Sequence, residues 1–74
     1  MAKEGILYYN KFIERYDICF DVGDLFGGLH CGDCFEVFID GEWIQTSIEM
    51  TASGEWYLTD VTAEKITGLK ARIG

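Results

Sequence analysis

The chain has 74 residues, 49% hydrophobic and 15% aromatic, with 13 acidic against 6 basic side chains and a net charge of −7. That length holds one domain with one core, able to bury only about 60% of its unfolded surface, and the apolar share excludes a disordered acidic tail. No apolar run approaches the roughly 18 residues that span a bilayer as a helix.

In chain order, Gly5–Tyr9 is a short apolar run ending in Asn10, and Tyr16–Phe20 alternates, with Tyr16, Ile18 and Phe20 on one side and Asp17 and Cys19 on the other. Residues Asp21–Cys31 combine three glycines and two aspartates and read as a long loop. Phe35–Ile39 and Glu42–Met50 alternate on either side of Asp40-Gly41, a strong two-residue hairpin signal. Ala52-Ser53-Gly54 turns the chain into a strand at Glu55–Thr59. A last strand follows at Gly68–Ile73, where Leu69, Ala71 and Ile73 alternate with Lys70 and Arg72. Between them, Asp60–Ile66 has the caps for one helical turn through Ala63-Glu64-Lys65 but is too short for a stable helix, so a single turn, 3₁₀ in type, is expected. The expectation is an all-β domain: one small barrel of five to six short antiparallel strands, with that turn before the last strand, closed so that no sticky edge remains.

The hairpin carries its own register. With Asp40 and Gly41 at the centre of the turn, Ile39 faces Glu42, Val37 faces Ile44 and Phe35 faces Thr46; with Ile48 these form the core side. The opposite side pairs Phe38 with Trp43, Glu36 with Gln45 and Cys34 with Ser47, which sets an aromatic pair on an otherwise polar ribbon. Such a pair stabilises a hairpin on its own account, by about 0.2–1 kcal/mol. It is also a candidate anchor for a protein partner or a second copy, because large aromatic side chains carry binding energy well.

No Lys or Arg occurs between Tyr16 and Glu64, so the middle of the chain would repel a nucleic-acid backbone. The cations stand at the ends, and Arg15, Lys70 and Arg72 would have to converge for nucleic acid to bind; that partner is disfavoured. His30-Cys31-Gly32-Asp33-Cys34 contains a C-x-x-C, and Cys19 brings the soft ligands to four. A second C-x-x-C or H-x₃-H pair is missing, and the cysteines lead into a strand rather than a helix start, so the bland reading is a Gly32-Asp33 turn beside small thiols. Asp17, Asp21 and Asp24 lack the alternating spacing of a calcium loop and read as a solvated loop. The single histidine, His30, has no nucleophile motif around it, and the chain has little room for a dry cleft. No cofactor is expected, and no enzyme. MAKEGILYYN lacks the apolar stretch of a secretory signal, and three cysteines fit a disulfide framework poorly, so a bacterial cytoplasmic setting without membrane contact is expected.

The succession YYN, YDICF, LHCGDCFEVFIDGEWIQTSIE, GEWYL and GLKARI resembles a small bacterial domain family of unknown function, DUF5348, over Gly5 to Ile73. Its most specific parts are Gly32-Asp33, Glu36-Val37, Gly41 with Trp43, Trp56-Tyr57-Leu58, and the terminal Gly68-Leu69 and Arg72-Ile73. The resemblance implies a single SH3-like barrel over residues 1–74, with its core in about 5–73, and no activity, cofactor or catalytic residue. SH3-type peptide grooves are lined by aromatics beside acids; Tyr8, Tyr9, Tyr57 and the acid-rich loop are available for that, on fold analogy alone. The leading expectation is a non-enzymatic module that contacts a protein partner through Phe38, Trp43 and Tyr57 or through the long loop. A nucleic-acid accessory protein using Arg15, Lys70 and Arg72 is the second reading. A small zinc domain built on Cys31, Cys34 and Cys19 is the third.

Overall fold

The computed structural model describes residues 3–61 and 65–74. Among the described residues seven strands run β1 (Lys3–Asn10), β2 (Arg15–Asp21), β3 (Asp24–Leu25), β4 (Cys34–Ile39), β5 (Glu42–Met50), β6 (Trp56–Leu58) and β7 (Lys70–Ile73). They form one antiparallel sheet in the order β3-β2-β1-β7-β4-β5-β6. The all-β architecture is as expected, and the described residues contain no helix. The strand count is higher than five to six because the long loop contributes a two-residue strand, β3, along β2. The centre of the expected helical turn, residues 62–64, lies outside the described residues.

The expected closure of the barrel is not found: no ladder joins the edges β3 and β6 among the described residues. The sheet curls instead. Tyr16 of β2 and Trp56 of β6 have four strands between them in the sheet order, yet their rings meet edge to face with centroids 6.4 Å apart. The curl encloses one core of Leu7, Ile18, Leu29, Phe35, Val37, Ile48, Leu58, Ile66 and Ala71. The radius of gyration of 11.5 Å matches the roughly 11 Å of a compact globule of this length.

Local chemistry explains the strands. Asp40 and Gly41 both have positive φ, 51° and 82°, which makes a type I′ turn whose twist suits the flanking strands. The observed register is Ile39 with Glu42, Phe38 with Trp43, Val37 with Ile44, Glu36 with Gln45, Phe35 with Thr46 and Cys34 with Ser47, every pair as the sequence predicts. Phe35, Val37, Thr46 and Ile48 are buried, and Ile39 and Ile44 are half-buried on the same side. The C-terminal β7 enters the middle of the sheet between β1 and β4, so Ala71 is buried while Lys70 and Arg72 point outward.

The segment after β3 keeps following the edge of β2. Phe26 donates its N–H to the Ile18 carbonyl at 2.9 Å and Leu29 donates to the Tyr16 carbonyl at 2.8 Å. Between them, Gly27 and Gly28 bulge at φ 108° and 106°, and their N–H groups are caught by the Asp17 carboxylate rather than by a strand. Asp17 is only 1% exposed. The expectation of a solvated acidic loop is therefore corrected at this residue: the Gly27-Gly28 bulge folds over Asp17 and bonds to it. The other two aspartates do face water, Asp21 capping the Val22 N–H and Asp24 pairing with Lys3 at 2.9 Å.

Candidate interaction face

The outer face of the sheet is built by the residues that alternate with the core. Across the strands, Trp43, Phe38, Lys70, Ile6, Cys19 and Leu25 are successive directly opposed partners and form one cross-strand row. At a strand spacing of about 4.8 Å this row is roughly 24 Å long. Ile6 is 44% exposed and Phe38 38% exposed. A neighbouring row, Gln45, Glu36, Arg72 and Glu4, is polar.

Two cations of β7 lie on the aromatic pair. The Phe38 and Trp43 rings are tilted against each other with centroids 5.2 Å apart. Arg72 places its guanidinium 4.2 Å from the centre of the Trp43 ring, and Lys70 its ammonium 5.7 Å from that of Phe38. Arg72 also donates from Nε to Glu36 Oε1 at 2.9 Å and from Nη2 to Oε2 at 3.4 Å. The planar fork thus satisfies a carboxylate and an aromatic face together, which a lysine could not do in one geometry. Trp43 is consequently only half exposed, and Phe38 is the more open of the pair.

The remaining candidates fall elsewhere. Tyr57 is exposed on the outer face but opposes Glu49, six residues along β5 from Trp43, a separation of roughly 20 Å in an extended strand. Arg15 does not join Lys70 and Arg72; its guanidinium donates to the Leu29 carbonyl at 3.0 Å and lies over Trp56. Tyr9 stacks edge to face on Tyr16, and Tyr8 donates its hydroxyl to Asp17 Oδ2 at 3.4 Å. Burial and, after it, the neighbouring Asp17 carboxylate push the Tyr8 hydroxyl above the usual tyrosine range.

The C-x-x-C has a backbone explanation. Asp33 donates to the His30 carbonyl at 3.0 Å across a turn whose third residue, Gly32, has φ 91°. This is the pattern of a type II turn. Gly32 then donates to the Ile48 carbonyl while Ile48 donates to the Asp33 carbonyl, the two-against-one pairing of a bulge that starts on glycine. Cys31 and Cys34 are free and exposed on either side of it. Cys19 lies on β2, three strand steps from β4, or roughly 14 Å, and does not complete a set with them. Among the described residues, no group of three or more His, Cys, Asp or Glu is placed to hold a metal ion.

The turn between β1 and β2 is a feature the sequence reading missed. Asn10 Oδ1 accepts the Phe12 N–H at 3.0 Å, Glu14 takes a left-handed φ of 54°, and Phe12 at the tip is 99% exposed. The legible signal was Asn10 followed two residues later by the N–H it captures.

The family model described as a domain of unknown function, DUF5348, matches residues 5–73. A crystal structure of a protein from Ruminococcus gnavus, a structural-genomics target, superposes with a TM-score of 0.88 at 41% sequence identity. The match covers 95% of this chain and 99% of that one. No curated protein matches the chain.

Proposed function

We propose that this chain, which belongs to the DUF5348 family of domains of unknown function, is a non-enzymatic module that binds a protein partner through the outer face of its sheet. The observation that carries this reading is the row from Trp43 to Ile6, in which two large apolar side chains, Phe38 and Ile6, stay open to solvent on paired strands. Surface apolar residues scattered singly need no explanation. These two flank Lys70 in a continuous row bordered by the Glu36–Arg72 ion pair, the layout of an apolar anchor with a polar rim. Phe38 is the anchor, and Trp43, half covered by Arg72, supports it from the side.

A nucleic-acid role finds less support. Arg72 is bonded to Glu36, Arg15 to a carbonyl and Lys3 to Asp24, so three of the six cations, among them two of the three expected to meet nucleic acid, are engaged with the domain's own acceptors.

Affinity capture from the native host, with wild type and Phe38→Ser side by side, tests the proposal. The partner recovered with wild type should bind the purified domain directly and be lost with Phe38→Ser while the variant's thermal transition is retained. Equal recovery by the two chains contradicts it.

A further inference from the structure

We propose that the β1–β2 hairpin is a self-association surface whose occupant is the same hairpin of a second copy. Turn tips are ordinarily polar, and nothing in this turn needs an aromatic ring: the Asn10 side chain and the left-handed Glu14 make it. Yet Phe12 projects fully into solvent, with Ile13 and Tyr9 each 41% exposed beside it. Next to the tip lies a shallow, mainly apolar depression of about 440 Å³ lined by Tyr8, Tyr9, Asn10, Lys11, Phe12 and Leu25. It meets the outer-face row only at Leu25.

A projecting ring and a recess on one patch are the two halves of an isologous contact. A two-fold axis through the patch seats each Phe12 in the other copy's recess. The charges agree with this pairing. The chain as a whole carries −7 and repels its own copies, but the tip of the hairpin, residues 10–15, holds Lys11 and Arg15 with Glu14. In a two-fold apposition, Lys11 of each copy meets Glu14 of the other. The patch is small beside the roughly 800 Å² per partner of a stable interface, so the dimer forms as concentration rises rather than persisting at any dilution.

Sedimentation equilibrium from about 10 μM to about 1 mM, the range in which small interfaces saturate, tests it on the intact chain. Wild type should move from 8.4 kDa toward twice that mass. Phe12→Ser, which removes a ring on a residue 99% exposed, should keep its circular dichroism and stay monomeric. Lys11→Glu and Glu14→Lys should each weaken association about tenfold, and the double exchange should recover it. Wild type that stays at the monomer mass throughout overturns the proposal. So does a Phe12→Ser chain that associates like wild type, or a double exchange no tighter than the single ones.

Discussion

The Asp17 carboxylate stands where a strand would otherwise have to bond Gly28: its Oδ1 accepts the Gly28 N–H at 2.9 Å. The same oxygen accepts from Gly27 at 2.9 Å and from Ile18 at 2.8 Å, while Oδ2 takes the Tyr8 hydroxyl. One buried side chain therefore bridges the gap left in the β2 edge by the glycine bulge, and Leu29 reaches the core on the far side of it.

Replacing Asp17 with Ala strips three N–H groups of their acceptor, two of them buried and the Gly27 N–H half-buried. The expected loss is about 3–5 kcal/mol, a large part of the stability of a domain this size. Asp17→Asn keeps an acceptor oxygen and should lose about half as much. Urea unfolding followed by tryptophan fluorescence measures both, and equal stability of Asp17→Ala and wild type contradicts the role.

Tyr8 sets an alkaline limit. Its hydroxyl titrates higher in the folded chain than in the unfolded one, for which about 10 is usual. Between those two values the unfolded state has lost a proton that the folded state keeps. The contribution is therefore complete below about pH 10 and disappears as pH rises through the folded value. The urea midpoint of wild type should fall more between pH 9 and 11 than that of Tyr8→Phe. Parallel declines in the two chains would remove Tyr8 from the account.

The β4–β5 hairpin was legible because its information is local. Alternation of Phe35, Val37 and Ile39 sets the inner face, and Asp40-Gly41 sets the turn, so the register follows within twelve residues. Asp17 was not legible as a buried group because its partners, Gly27 and Gly28, are ten and eleven residues away and are glycines, which carry no pattern. The placement of β7 between β1 and β4 is likewise a long-range fact, with Arg72 meeting Glu36 across 36 residues. The alternation showed that Arg72 faces outward but not that it would cover Trp43. The barrel was expected to close with strands; among the described residues the edges β3 and β6 stay unpaired, and the Tyr16 and Trp56 rings meet across the curl instead.

Arg72 links charge to aromatic burial. Arg72→Ala should uncover Trp43, shifting part of the fluorescence emission to longer wavelength, and should cost about 1 kcal/mol, since the pair with Glu36 is partly solvated. Glu36→Gln should lower stability without that shift, because the guanidinium remains over the ring. Emission from Arg72→Ala identical to wild type would show that Arg72 does not shield Trp43.

Gly41 at φ 82° follows Asp40 at φ 51°, so Gly41→Val should destabilise the hairpin by about 1–2 kcal/mol, while Asp40→Asn should be neutral or slightly stabilising. Thermal unfolding of the two variants reads this directly. A neutral Gly41→Val would contradict the type I′ assignment.

The interaction proposal is tested most directly by a photo-reactive amino acid placed at position 38 and, as a control, at Ser53 in the exposed β5–β6 turn, with cross-linking in living cells. One discrete adduct is expected from position 38, heavier than a dimer of the chain or carrying peptides foreign to it, and none from position 53. No adduct from position 38, or the same products from both positions, would contradict it.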